Sequence, residues 1–110
     1  MEEIVVIIST GEVEKAKTGL MYALNAVLQN WMSDVKLIFF GPSQNLLIQD
    51  PEVQDFVLQF QKAQGTIMAC KFLAERDKNS EEIASRGIQV ESVGSIISDL
   101  IKEGYIPLIW

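Results

Sequence analysis

The feature that most constrains this chain is a change of hydrophobic period that recurs along it. Ile4-Val5-Val6-Ile7-Ile8 is an unbroken β-branched run, the pattern of a strand buried on both faces. Ser9-Thr10-Gly11 interrupts it. From about Glu14 to Asn30 the apolar positions then fall at Ala16, Leu20, Ala23, Leu24, Val27 and Leu28, one face of an amphipathic helix. A strand buried on both faces needs cover above and below, so such a run implies helices on each side of a sheet.

The alternation continues. Val35-Lys36-Leu37-Ile38-Phe39-Phe40 predicts a second buried strand, ended by Gly41-Pro42, and Ser43 to Gln49 a short helical turn. Asp50-Pro51 is a helix start, with a capping carboxylate followed by proline at the first helical position. Val53, Phe56, Val57 and Phe60 form the next helical stripe, closed by Gln64-Gly65, whose glycine suits a left-handed cap. Thr66 to Ala69 reads as a short third strand with Cys70 at its end, and Lys71 to Arg76 as a short helix. Ser80 is placed to cap a further helix running to about Arg86, with Glu81 and Glu82 favourable at its positive end. Ile88 to Ser92 alternates as a short or edge strand would. Val93, Ile96, Ile97, Leu100 and Ile101 mark the last helix, stopped by Gly104, and Tyr105 to Trp110 the last strand.

Strands separated by helices of this length lie parallel, joined by crossovers. The expected fold is therefore α/β: one domain over residues 1–110, a three-layer α/β/α arrangement with a mostly parallel sheet of about five strands. The pattern does not fix strand order.

Two counts limit the chemistry: the 110 residues contain no histidine and one cysteine, Cys70. A Ser-His-Asp or Cys-His site within one chain is excluded, as are His/Cys zinc sites, CxxC redox pairs and a disulfide framework. The net charge of −6 is a poor match to phosphate backbones, so no nucleic-acid partner is expected. No apolar run approaches the ~20 residues of a membrane span. The acidic start Met1-Glu2-Glu3 is unlike a signal peptide, which makes a cytoplasmic location the expectation. No metal site is expected, because Glu2-Glu3, Glu12, Glu14 and Glu81-Glu82 read as solvated surface charge. G-x-G-x-x-G and G-x-x-x-x-G-K-[ST] are absent.

In open parallel sheets, ligands bind outside the carboxyl ends of the strands. Four loops fall there: Ser9-Thr10-Gly11, Gly41-Pro42-Ser43, Cys70-Lys71 and Ser92-Val93-Gly94. Ordinary turn chemistry accounts for most of their small residues. Cys70 stands apart, because it sits where a central strand stops and a helix starts. Free N–H groups and partial positive charge there favour thiolate over thiol, with Lys71 and Arg76 nearby in sequence. The competing expectation is a small, buried apolar residue. The C-x5-R spacing of Cys70 and Arg76 matches phosphatases, but Lys71-Phe72-Leu73-Ala74-Glu75 is bulky and helix-forming and offers no phosphate nest. On a helix Arg76 would also point about 120° away from Cys70.

Taken together, these segments resemble the DsrE/DsrF-like family, which includes the DsrE, TusD and YchN-like proteins. The resemblance covers the strand Ile4 to Ile8, the helix segment Lys17-Thr18-Gly19-Leu20-Met21-Tyr22-Ala23-Leu24 and Val35 to Pro42 with Leu46-Leu47 following. It continues through Ala69-Cys70-Lys71, Gly87 to Gly94 and Ile101-Lys102-Glu103-Gly104-Tyr105. After the cysteine the two differ. Sulfur-relay members follow it with small residues and an arginine-glycine end, where this chain has Phe72, Leu73, Glu75 and Arg76-Asp77.

The resemblance implies a three-layer α/β/α fold, assembly as homotrimers or hexamers, and a cysteine that accepts sulfane sulfur as a persulfide and passes it to a partner protein's thiol. Cys70 is the one position that can take this role. Thr10, Gly11, Gly41, Pro42, Lys71 and Gly94 are expected to line its pocket, with no cofactor. The alternative is a non-catalytic, oligomeric binding or scaffold module of the same fold. Cys70 would then be structural, and the apolar ends Trp31-Met32 and Leu108-Ile109-Trp110 would be interfaces.

Overall fold

The structure, a computed structural model, describes residues 2–63 and 65–110. The first β-branched run forms strand β1 (Glu3–Ile8), and the stripe after it forms helix α1 (Val13–Leu28). Then come β2 (Asp34–Phe39), α2 (Ser43–Gln49), α3 (Pro51–Lys62) and β3 (Ile67–Cys70). The chain finishes with α4 (Lys71–Arg76), α5 (Ser80–Ser85), β4 (Gln89–Glu91), α6 (Val93–Lys102) and β5 (Ile106–Ile109). The five strands pair in the order β4-β3-β2-β1-β5, every pair parallel. The sheet is thus wholly, not mostly, parallel.

The chain steps outward from β1 through β2 and β3 to β4. It then crosses back over the sheet through α6 to lay β5 on the far side of β1. β1 and β2 are covered on both faces and carry the continuous apolar runs. β4 and β5 are edges, which explains why Gln89 to Glu91 alternates and why Ile106 and Ile109 stay exposed.

The two faces are unequally covered. On one, Ile4, Val6, Ile8, Val35, Leu37, Phe39, Ile67 and Ala69 pack against buried residues of α1, α2, α3 and α5. On the other, Val5, Ile7, Ile38, Met68 and Cys70 pack against Val93 and Leu100 of α6, with Ile96, Ile97 and Leu73 of α4 at the margin. Each fully buried Ile, Leu or Val contributes roughly 1.5–3 kcal/mol of apolar transfer, so the face under the longer helices holds most of the core. Ile109 shares the face of its neighbour Ile7 and is 67% exposed, because α6 does not reach over β5.

The helix signals are made as expected at α3: Asp50 Oδ1 accepts hydrogen bonds from the Glu52 and Val53 amides, each at 3.0 Å, with Pro51 at the first helical position. They differ at α5, where Asn79 occupies the cap position and makes no side-chain cap bond, while Ser80 is already helical. Phe40 lies beyond the end of β2 and is exposed. Gln64 lies outside the described residues. Gly65 is required for a reason that periodicity does not reveal: a Cβ there would stand 1.9 Å from the Phe60 ring. Of the expected interface residues, Trp31 and Ile109 are exposed, whereas Met32, Leu108 and Trp110 pack against the core. Trp110 stacks on Tyr22 with ring centroids 5.7 Å apart.

Candidate functional site at the carboxyl ends of the strands

Cys70 closes β3, and α4 begins at the next residue. The middle strand is β2, so Cys70 stands one strand further out than its expected central position, still flanked by β2 and β4. The residue is 6% exposed and packs with Val5, Ile7, Ile38, Met68, Val93 and Leu100. Its side chain thus sits among apolar neighbours beneath α6.

What holds Cys70 in place is a residue that the motifs did not single out. Past the last matched pair, Phe39 with Ala69, β2 turns away and supplies no further partner to β3. The side chain of Gln44, on α2 and 1% exposed, fills that gap. Its Nε2 donates to the Cys70 carbonyl oxygen at 3.1 Å, and the Cys70 amide donates to its Oε1 at 3.3 Å. The side-chain amide thereby takes the part of one more peptide unit in the ladder, satisfying both main-chain groups of Cys70. The Gly41 amide also points to Oε1, at 3.4 Å.

Ser43, fully buried beside Gln44, ties in the neighbouring strand. Its Oγ donates to the Ile8 carbonyl at 2.5 Å, and its amide donates to the Ser9 carbonyl at 3.1 Å. The first turn of α2 thus pins the ends of β1 and β3 together. Gly41 makes this possible: its φ is +141°, and a Cβ would stand 2.6 Å from both Ser9 oxygens.

Several expected lining residues meet here. Gly11 lies against Pro42, where a Cβ would be 3.0 Å from the proline Cβ. Thr10 Oγ1 accepts the Glu12 amide at 3.0 Å. Gly41 connects to Cys70 through Gln44. Lys71 is exposed. Gly94 is also exposed, in the first turn of α6, with no atom within 4 Å of where a Cβ would stand, though Val93 before it packs in the cluster of Cys70. The strand order reverses between β1 and β5, two strands away from β3. There the Ser9 and Thr10 amides both donate to the Trp110 carbonyl, at 2.7 and 3.2 Å, so the crevice is closed by the chain itself.

Of the cations expected to assist the thiol, Lys71 is exposed and Arg76 is engaged by a carboxylate. Arg76 forms a two-pronged pair with Asp77, Nε to Oδ1 at 2.9 Å and Nη2 to Oδ2 at 3.2 Å. This holds the Asp77 carboxyl below the ordinary carboxylate range. The arginine of the C-x5-R spacing is therefore engaged by its own neighbour. α4, with six residues, is too short to bring much dipole to the cysteine.

A second pair of titrating groups lies at the opposite end of the sheet. Tyr105 donates a short hydrogen bond to Asp34 Oδ2, which pushes the phenol up. Burial works against the charge on Asp34, but the Tyr105 hydroxyl and Lys36, 3.3 Å away, outweigh it and lower the carboxyl. This pair bolts β2 to the segment entering β5 and is structural.

Among the described residues no three His, Cys, Asp or Glu gather as a metal site would require. No helix among them is long and apolar enough to cross a membrane.

Gln44 and Ser43 had a legible signal. They precede Leu46, Leu47 and Ile48 by three or four positions, so two polar residues stand on the apolar stripe of α2. Polar residues on a buried stripe must find partners, and the strand ends are what lies beneath.

No protein-family profile matches this chain, and no curated protein matches it. Among solved structures it is similar to the conserved protein of unknown function BT1422 from Bacteroides thetaiotaomicron. That match has 26% identity and a TM-score of 0.89, over 98% of this chain and 95% of that one. It is also similar to the protein of unknown function MTH1491 from Methanobacterium thermoautotrophicum, at 18% identity and a TM-score of 0.79 over 100% of both chains. The second likeness speaks for the fold alone. The fold is the three-layer α/β/α arrangement around a five-stranded parallel sheet.

Proposed function

We propose that this chain is a cytoplasmic, DsrE-like sulfur carrier that works as a homo-oligomer, with Cys70 as its persulfide site. The observation that carries the proposal is the two-sided clamp of Gln44 on the Cys70 main chain, at the carboxyl edge of a parallel sheet. A buried polar side chain is an expensive way to end a strand, and here it fixes the main chain that bears the chain's one thiol. The Cys70 thiolate attacks the terminal sulfur of a donor persulfide, R–S–SH. The donor's S–S bond breaks, R–S⁻ leaves, and Cys70 carries –S–SH. An acceptor thiolate attacks the outer sulfur in turn and returns Cys70 to thiolate. The chain has a single cysteine, so the donor persulfide and the acceptor thiol belong to other molecules.

One observation favours the second function, a binding or scaffold module with a structural cysteine: Cys70 is 6% exposed within an apolar cluster. Alkylation of the native protein by iodoacetamide separates the two. A carrier's Cys70 reacts at a rate comparable to a free thiol, while a structural Cys70 reacts only as fast as the protein unfolds. Reaction limited by unfolding would overturn the carrier proposal.

A further inference from the structure

We propose that a cleft between α3 and α5 binds a small carboxylic acid with a short apolar body. The cleft has a volume of about 280 Å³ and is lined by Leu47, Gln54, Val57, Leu58, Ser85 and Arg86. Leu47, fully buried on α2, is its floor, and Val57 and the exposed Leu58 form its α3 wall. Opposite them stands Arg86, which ends α5.

The arginine points to a ligand. Its Nε is buried, yet has no hydrogen-bond partner among the described residues. Its Nη2 lies 3.7 Å from Glu82 Oε2, beyond hydrogen-bond range. Its carbonyl oxygen accepts from Gln61 Nε2 at 2.9 Å, which fixes the main chain from which the guanidinium projects. The side chain is 34% exposed while its Nε is not; a buried N–H without an acceptor is unfavourable, and a planar carboxylate is the acceptor that a guanidinium edge fits best.

The other polar groups define the charge of the ligand. Ser85 Oγ already donates to the Glu82 carbonyl at 2.6 Å. Gln54 Nε2 is engaged by the Leu47 and Ile48 carbonyls at 3.0 and 3.1 Å. Among the described residues Arg86 is the one cation lining the cleft, and Glu82 stands close by. That suits a single negative charge and disfavours phosphate, which calls for several donors or a backbone nest. At roughly 30 Å³ for each water-sized atom, the space takes about nine non-hydrogen atoms. Hexanoate is a probe of suitable size. The site is independent of Cys70 and of the sulfur-carrier proposal.

The test is a titration of the uniformly ¹⁵N-labelled full chain, followed by amide shifts, with hexanoate, its neutral isostere hexanamide, and inorganic phosphate. Hexanoate is expected to shift the amides of Leu47, Val57, Leu58, Ser85 and Arg86, with hexanamide and phosphate at least about tenfold weaker. Arg86→Met abolishes the hexanoate shifts. Should that variant fail to fold, Leu58→Glu places a repelling carboxylate on an exposed rim and has the same effect. Equal affinity for hexanoate and hexanamide, phosphate binding as tight as hexanoate, shifts located elsewhere, or no shift with hexanoate would each overturn the proposal.

Discussion

Replacing Gln44 by methionine keeps the length of the side chain and removes both ends of the clamp. The Cys70 amide and carbonyl, bonded at 3.3 and 3.1 Å, lose their partner in a region closed to water. The longer contact from the Gly41 amide, at 3.4 Å, adds little. A buried orphan costs roughly 1–3 kcal/mol, so two cost about 4 kcal/mol at mid-range. Burying a thioether in place of an amide returns about 1 kcal/mol. The net loss is about 3 kcal/mol, a large share of the ~5–15 kcal/mol that holds a domain of this size. At about 2.1 cal/mol/K of unfolding entropy per residue, the melting temperature falls by about 13 °C. Urea denaturation followed by circular dichroism measures this, with the exposed Gln49→Met on the same helix as a control expected within about 0.5 kcal/mol of the parent. A Gln44→Met loss below about 1 kcal/mol, or one equal to the control, would refute the view that this side chain completes the ladder. Gln44→Glu extends the test. Its carboxylate cannot donate to the Cys70 carbonyl, whereas the protonated acid can, so this variant is least destabilised at acid pH.

Three further outcomes are expected. Gly41→Ala forces a Cβ to within 2.6 Å of the Ser9 oxygens at a φ of +141°; a loss of about 3 kcal/mol or more is expected, and a melting scan showing less than 1 kcal/mol contradicts the tight turn. Asp50→Ala removes the cap of α3 and costs about 1 kcal/mol by urea denaturation, with no change of fold. Tyr105→Phe removes the donor to Asp34 and costs about 1 kcal/mol near neutral pH, since the Asp34 side chain is more than a third exposed. The Asp34 carboxyl is held low, so this difference is full above its ordinary pKa near ~3.9 and shrinks as the pH falls below it. The Tyr105 phenol is held high, so the difference also persists up to about pH 10 and is lost as the pH rises further. Stability curves of the two proteins that run parallel from pH 3 to 7 would contradict this.

The fold was legible because its strands are two-sided. Only a covered parallel sheet gives runs such as Ile4 to Ile8 and Val35 to Phe39 between helical stripes, and the edge character of Gln89 to Glu91 followed from its alternation. Strand order was not legible, because the step from β4 back across the sheet to β5 depends on which edge α6 reaches, and local pattern does not record that. Cys70 was found from its strand-end position. Its burial could be read only as one of two alternatives, because it depends on Val93 and Leu100, which arrive from α6 far along the chain. The pairing of Arg76 with Asp77 is written in adjacent residues. Gln44 lay on the apolar stripe of α2 and asked for a partner, but only the folded sheet shows that its partner is the cysteine itself.

The central claim is that Cys70 carries sulfur, and intact-mass spectrometry of the native protein after incubation with a small persulfide donor tests it most directly. The expected result is a gain of one sulfur atom, removed by a thiol acceptor and absent from Cys70→Ala. An unchanged mass in the native protein, or an equal gain in Cys70→Ala, would contradict it.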